Sequence, residues 1–409
     1  MYMQQAKITS FTSYQIFLIL VFVFMLFTIV VDYMTLPALS AILLAKLEIS
    51  PKEFGLLVSV YAFSAGISSF LATSFADSFD RKKLLLVYYG GFLLGMFLCA
   101  TSSSLTALII ARIVTGIFGG MIASICFAIV ADLFEPDQRG RVMGYIQMAF
   151  AASLVAGMPL ALSLATHFDW HITYWVFLIV GAIIWGLVFF IMKPIKDHLW
   201  VKQQNDFIAH ALNILLNRPY WNVFLNNIFL VLGDAMFMTF ASAYLANNLK
   251  LSLEDLPLLF GIGGIATLVL SPLLGKLSDK LGKLPVFVGG TLLAIVFVFI
   301  YSHIQGGGFW LIVCIHSLLF VGINARMISS TALTTVVPQA SDRGAFLALD
   351  ASLQQIAGGL AATTAGLIVT QTPEGMINGY PKLAYVVIAI LLATIGFMYL
   401  INKNIAKSL

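Results

Sequence analysis

Gly275-Lys276-Leu277-Ser278-Asp279-Lys280-Leu281-Gly282-Lys283 separates two long apolar runs. Ser74-Phe75-Ala76-Asp77-Ser78-Phe79-Asp80-Arg81-Lys82-Lys83 separates two earlier ones in the same way. Each is a short charged loop between greasy segments, and Asp77 and Asp279 stand 202 residues apart. The spacing recurs: Asp32 and Asp234, each inside an apolar run, are also 202 apart, and Arg139-Gly140 and Arg343-Gly344 follow at 204. Three coincidences at nearly one offset point to a unit duplicated within the chain.

The surroundings of the repeat say what kind of unit it is. Of the 409 residues, 60% are hydrophobic and only 10% are charged, against about 25% charged in soluble domains. Hydrocarbon is therefore the main solvent of this chain. A helix crosses a ~30 Å hydrocarbon core with ~20 apolar residues. Apolar segments fall at 14–40, 54–76, 84–103, 105–131, 142–166, 172–192, 219–247, 256–275, 284–303, 309–337, 344–370 and 380–401. They are too long and too free of charge for barrel strands, which alternate in ~10-residue pieces. The reading is an all-α membrane protein with twelve transmembrane helices in two pseudo-symmetric six-helix bundles. Residues 1–192 form one bundle and 219–409 the other. The polar stretch 193–218 joins them, and its Asp206 to Leu216 portion has the pattern of a short amphipathic surface helix.

Basic residues set the orientation. With both termini on one side, that side collects sixteen of the 22 Lys and Arg; Lys46, Lys52, Lys250 and Lys382 fall on the other, and Arg112 and Arg326 lie inside spans. Such a bias marks the cytoplasmic side, so both ends are expected in the cytoplasm of a bacterial inner-membrane protein. The net charge of +4 then reports topology, and no nucleic-acid partner is expected. Cys99, Cys126 and Cys314 sit in apolar runs without metal-ligand spacing, so no metal and no cofactor are expected. There is no Gly-x-x-x-x-Gly-Lys-(Ser/Thr) phosphate loop, and the six His are dispersed; enzymatic chemistry is not expected. The first apolar run, Ile16 to Leu36, is too long for a cleavable signal and contains Asp32.

The loop motif supports a family resemblance. The chain resembles the major facilitator superfamily, and within it the twelve-helix drug/proton antiporters that include the arabinose-efflux-type permeases. That family's inner loop reads Gly-x-x-x-Asp-(Arg/Lys)-x-Gly-(Arg/Lys)-(Arg/Lys). The second copy matches through Gly275, Asp279, Lys280, Gly282 and Lys283. The first keeps Asp77, Arg81 and Lys82 but has Thr73, Ser78 and Asp80 where Gly, Arg and Gly are usual. Asp tolerates a left-handed turn better than most residues, so Asp80 is expected to stand in for glycine there. Arg112 followed by Gly116, Gly119 and Gly120 is similar to the family's helix-4 arginine motif. Gly157-Met158-Pro159 is similar to the antiporters' helix-5 Gly-Pro motif with one residue inserted, a variant more like the sugar-efflux branch than the multidrug branch.

The resemblance implies a secondary transporter working by alternating access between its halves. Its expected partners are the lipid bilayer, a small-molecule substrate and protons, and it is expected as a monomer. Proton-coupled efflux of a small organic solute, drug or sugar-like compound is the leading expectation. Proton-coupled uptake or facilitated exchange of a metabolite or siderophore is the alternative, and a non-transporting receptor on the same fold stands below both. The resemblance also implies a latch between the halves on the cytoplasmic face, formed by Asp77, Arg81, Lys82 and Arg139 with Asp279, Lys280, Lys283 and Arg343.

Charges inside spans cost roughly 2.5–3.5 kcal/mol each and so ask for a role. Asp32 and Arg112 lie at similar depth in the first and fourth helices, which line the central cavity in the superfamily. Asp32 is the expected proton carrier and Arg112 its modulator; the bland reading is a static ion pair. Thr28 and Thr35 flank Asp32 on one helix face, and Pro37 permits a kink. Adding 204 to Arg112 gives His316, which makes Asp234 and His316 the pseudo-symmetric pair expected in the second half; a histidine held by helix packing is equally compatible. Asp350, with Gln354 one turn on, reads either as a further protonatable site or as the partner of Arg326. Asn226, Asn227, Asn324, Gln147 and Tyr61 are the remaining cavity candidates. Small-residue pairs such as Gly116 and Gly120 are expected to let helices approach closely.

Overall fold

The computed structural model describes residues 11–72, 78–196, 199, 207–339 and 342–408. Eleven helices in it are long and apolar enough to cross a bilayer: α1 (Ser13–Ala38), α2 (Pro51–Leu71), α3 (Arg81–Thr101), α4 (Leu105–Leu133), α5 (Pro136–His167), α6 (Trp170–Ile191), α7 (Arg218–Asn247), α8 (Leu256–Leu281), α9 (Lys283–His303), α10 (Phe309–Thr334) and α12 (Tyr380–Ile405). The remaining place is filled by α11 (Arg343–Ile368), which at 26 residues is as long as α10. Asp350, Gln354, Gln355, Thr363 and Thr364 make it more polar than a bare span. Hydrocarbon offers no partner for free peptide groups, so helices that close their own hydrogen bonds are the expected solution. Several N-termini are capped by side chains. Thr12 and Gln15 form a capping box at α1, and Asp80, Ser104 and Asp169 cap α3, α4 and α6. A two-stranded hairpin, β1 (Thr370–Gln371) against β2 (Ile377–Asn378), turns the chain from α11 into α12.

The first helix of each half breaks near the face opposite the termini. α1 gives way at Leu39 to a short helix Ser40–Lys46, next to Pro37. α7 is interrupted after Met238 and resumes as Ala241–Asn247. The two short pieces meet, with the Ala243 amide donating to Ser40 Oγ at 3.1 Å and Phe54 packing on Phe240 at 5.6 Å between ring centroids. Along α2 and α11 the halves approach through glycines. A Cβ on Gly55 would lie 2.6 Å from the Ala362 carbonyl oxygen, and Ser352 Oγ donates to the Gly66 carbonyl at 2.6 Å. α5 and α8 touch only partway along: a Cβ on Gly264 would meet the Leu154 carbonyl at 2.8 Å. Nearer the termini, a Cβ on Gly140, Gly144 or Gly275 would meet nothing within 4 Å. The halves are thus sealed at the far face and apart between α5 and α8 at the terminal face.

The two loop copies differ in backbone. Gly282 has φ 95° and ψ 155°, a region open essentially to glycine. Asp80 does not adopt that geometry, contrary to the expectation that it replaces glycine in a left-handed turn; its φ is −55°. It works through its side chain instead, accepting from the Lys82 amide at 2.9 Å and the Ile195 amide at 3.1 Å. The first loop is therefore tied to the end of the first bundle. In the connection between bundles, residues 197, 198 and 200–206 lie outside the described residues, and Phe207–Leu216 is a ten-residue helix. Its Ala211 and Ile214 pack with Tyr220 and Phe346, while Leu212 and Leu216 are exposed.

Candidate functional site

Two arginine–aspartate pairs, one buried and one half-buried, occupy equivalent helices of the two halves. In the first, Arg112 of α4 places Nη1 2.8 Å from both carboxylate oxygens of Asp32 of α1, and the two side chains are 1% and 0% exposed. Asp32 lies six residues before the end of α1 and Arg112 seven into α4, so each is roughly 10 Å below the far face. Tyr61 of α2 presents its ring to the guanidinium, 4.4 Å from its centroid, a favourable cation–π position. Tyr33 stacks obliquely on Tyr61 at 5.7 Å, and its hydroxyl lies 3.3 Å from where a Cβ on Gly358 of α11 would stand. The pair therefore touches the other half through one aromatic layer. Arg112 Nε, Thr35 Oγ1 and Tyr174 Oη are buried without a hydrogen-bond partner among the described residues. Thr28 is turned to packing, its hydroxyl donating to the Met25 carbonyl at 2.8 Å and lying 3.0 Å from Tyr89 Oη.

The second pair corrects the sequence reading. Asp234 does not pair with His316; Arg326 Nη1 of α10 donates to it at 2.7 Å. His316 is buried with neither ring nitrogen hydrogen-bonded among the described residues, packed among Phe260, Tyr301 and Phe320. The aspartate follows the 202-residue offset, but its arginine stands 214 residues after Arg112. A long flexible guanidinium reaches the same kind of carboxylate from a different turn, and the constant offset misses that freedom. Here the carboxylate is less enclosed: the Asp234 side chain is 18% exposed, that of Arg326 0%.

Asp350 does not pair with Arg326 either. Its carboxylate accepts from Asn227 Nδ2 at 3.0 and 2.9 Å and from Gln354 Nε2 at 2.8 Å. Asn226 donates to Asn227 Oδ1 at 3.2 Å and to Ser330 Oγ at 2.8 Å. Asn227, Ser330, Asp350 and Gln354 border a cleft of about 220 Å³ between α7, α10 and α11, whose walls also include Leu230, Met327, Thr331, Thr334 and Phe346. Ser330, Thr331 and Thr334 escaped the sequence reading. They lie one and two turns beyond Arg326, and a small hydroxyl in an apolar run gives no signal by itself. A larger opening, about 880 Å³, lies at the far face between Glu48 and Glu374; its charged residues Glu48, Lys52 and Glu374 are exposed and thus solvated. Of the other cavity candidates, Asn324 donates to Ser271 Oγ at 2.5 Å, joining α10 to α8. Gln147 is exposed on α5 and makes no hydrogen bond among the described residues.

The described loop contacts tie each bundle to itself, where a latch across the halves was expected. Arg81 Nε donates to Asp132, at the end of α4, at 3.1 Å. Lys82 Nζ donates to the Phe189 and Met192 carbonyls at 2.8 and 2.5 Å, closing the end of α6. Arg139 Nε donates to the Phe134 carbonyl at 3.0 Å. Asp279 pairs with Lys283 one turn on, and Lys280 and Arg343 are exposed. Asp77 lies outside the described residues. The separation of α5 from α8 at this face leaves the second loop paired within its own half.

The glycine motifs set helix spacing around the first pair. A Cβ on Gly116 would stand 2.0 Å from Ser64 Oγ and 2.5 Å from the Tyr61 carbonyl, and one on Gly120 2.6 Å from the Ala65 carbonyl, so α4 lies directly on α2. A Cβ on Gly157 would meet Val31 Cγ2 at 2.2 Å, one residue from Asp32. The turn leading to Gly157, Ser153–Gly157, is π-helical, a form that appears as single-turn bulges inside α-helices, and α-helix resumes at Met158. Pro159 packs toward Gly261 of α8, 3.4 Å from where its Cβ would be.

Comparison with known proteins agrees with this architecture. The Major Facilitator Superfamily profile matches residues 16–362. The MFS-type transporter YbcL of Bacillus subtilis is 24% identical over 84% of this chain and 86% of its own length. The quinolone resistance protein NorA of Staphylococcus aureus is 24% identical over 69% of this chain and 72% of its own. Among solved structures, a bacterial homologue of the human lysosomal transporter Spinster, inward-facing and occupied, superposes with a TM-score of 0.76 at 14% identity, covering 96% of this chain and 98% of that one. The nucleoside transporter NupG gives 0.75 at 13% identity, covering 93% and 99%. The duplicated six-helix halves, the matching sequence profile and the shared fold make this chain a member of the Major Facilitator Superfamily, a multi-pass membrane transporter.

Proposed function

We propose that the protein exports a small organic solute in exchange for protons across a bacterial inner membrane, with both termini in the cytoplasm. The observation that carries the reading is the Asp32–Arg112 pair, bonded through both carboxylate oxygens and enclosed. Two charges removed from water are costly unless matched to each other, so any motion that separates them changes the proton affinity of the carboxylate. Tyr33, packed between Tyr61 and α11, is the contact through which tilting of the halves reaches the pair. Asp32 takes a proton when Arg112 is drawn away and releases it when the pair re-forms. Asp234 and Arg326 form the parallel pair of the second half. The bias of Lys and Arg toward the terminal face supports the orientation, and the drug-resistance role named for NorA supports export.

The test is accumulation profiling in cells expressing the protein across a panel of organic compounds, with Asp32→Asn as the comparison. Lower accumulation of at least one compound, reversed by a protonophore and absent in a membrane-inserted Asp32→Asn protein, is expected. A variant that still lowers accumulation in a protonophore-sensitive way would refute the role of Asp32. If no compound is affected by the wild-type protein, the export reading itself is lost.

A further inference from the structure

We propose that the cleft between α7, α10 and α11 binds the protonated amine of a small organic cation, with Asp350 as its counter-charge. This deepens, and rests on, the reading of the chain as a carrier of organic solutes. Among the described residues, Asp350 is the one charged group bordering the cleft, and it is 7% exposed. No basic side chain among the described residues pairs with it. A carboxylate held inside a bilayer without a cation is expensive, and the hydrogen bonds from Asn227 and Gln354 stabilise its charge without cancelling it.

The direction of those hydrogen bonds selects the ligand. The Asn227 amide nitrogen is bonded to both carboxylate oxygens and one N–H of Gln354 to the second, so most of the amide donors beside Asp350 are engaged by the carboxylate itself. Acceptors remain: a carboxylate has about four lone-pair sites, three of which take these donors. The Gln354 amide oxygen carries no hydrogen bond among the described residues. The Thr331 hydroxyl borders the same space. A site with one uncancelled negative charge and acceptor oxygens beside it suits an ammonium group. Leu230, Met327 and Phe346 supply apolar wall for the carbon next to it. A volume of about 220 Å³ falls below the ~300–1,000 Å³ of pockets that enclose whole drug-sized ligands, so the cleft takes a head group. It is also far roomier than the close oxygen cage that a bare metal cation requires.

The experiment is equilibrium binding of radiolabelled benzylammonium to the purified full-length protein in nanodiscs, with no proton gradient imposed. Benzyl alcohol, phenylacetate and sodium chloride serve as competitors. Saturable binding is expected, displaced by unlabelled benzylammonium but not by the neutral or anionic analogue or by sodium. Asp350→Asn should weaken it about 30-fold or more. Ala351→Phe, which fills the cleft without altering the carboxylate, should also abolish it; that variant decides the matter if Asp350→Asn fails to elute as a folded protein. Equal competition by benzyl alcohol, displacement by sodium, absence of saturable binding, or undiminished affinity in Ala351→Phe would overturn the assignment. Intact benzylammonium binding alongside failed proton-dependent export would sink the export reading alone. Intact export with no binding at this cleft would sink the cation site alone.

Discussion

The two halves hold one type of ion pair in two different settings. In the first, Asp32 and Arg112 are closed off, with both carboxylate oxygens bonded, a tyrosine face over the guanidinium and a glycine seam beneath it. In the second, Asp234 is partly exposed and bonded through a single oxygen, and the same two helices, α7 and α10, carry Asn227 and Ser330, which join Asp350 of α11 in a polar network. Duplication supplied two equal starting points. The contrast fits a division of labour, with one pair insulated so that separation of its charges has a large energetic effect, and the other set beside polar groups that can meet a solute.

The comparison can be broken by removing each arginine. Arg112→Met leaves Asp32 unpaired in a fully enclosed position, so it should lower stability by about 3–5 kcal/mol. Arg326→Met leaves a carboxylate that can be hydrated, and its loss should be smaller by at least about 1 kcal/mol. Thermal unfolding of the detergent-solubilised proteins compares them directly; equal losses would mean that the difference in enclosure has no energetic consequence.

Glycine substitutions sharpen the picture of the insulated side. Gly116→Val forces a side chain against Ser64 and the Tyr61 carbonyl, one turn from Arg112, and should cost about 1–3 kcal/mol through overpacking. Gly275→Ala, where a Cβ meets nothing within 4 Å, should leave the melting temperature unchanged or slightly raised. The loop copies give a further and smaller contrast. Gly282→Asp should cost about 1–3 kcal/mol, because its backbone lies in glycine-only territory. Asp80→Gly should cost about 1 kcal/mol, a few tenths for the lost cap and the rest for the lost bond from the Ile195 amide. If Asp80→Gly stabilises the protein instead, the first loop follows the glycine geometry after all.

The architecture was legible because it rests on composition and period. Apolar runs of span length, charges confined to loops and a repeated offset each carry the physics of hydrocarbon burial. Asp32 and Arg112 were legible for the same reason, since a charge in a span is too costly to be incidental. The second half was less so. Asp234 follows the offset, but its partner is set by where a long side chain can reach, and Arg326 lies ten residues beyond the expected position at His316. Asp80 shows a related gap: the residue type suggested a backbone role, whereas its side chain caps α3 and takes the Ile195 amide. The polar cleft was half visible, through Asp350, Gln354 and Asn227. Its serine and threonine wall depends on helix rotation, which an apolar run with isolated hydroxyls does not encode.

The most direct measurement is flux in proteoliposomes under an imposed pH gradient, using a compound the wild-type protein moves, with Asp32→Asn and Asp234→Asn side by side. The account predicts that Asp32→Asn loses all gradient-driven accumulation while still equilibrating the compound downhill. It predicts that Asp234→Asn keeps a measurable fraction of the driven flux. Gradient-driven accumulation in Asp32→Asn equal to that of the wild-type protein would contradict it.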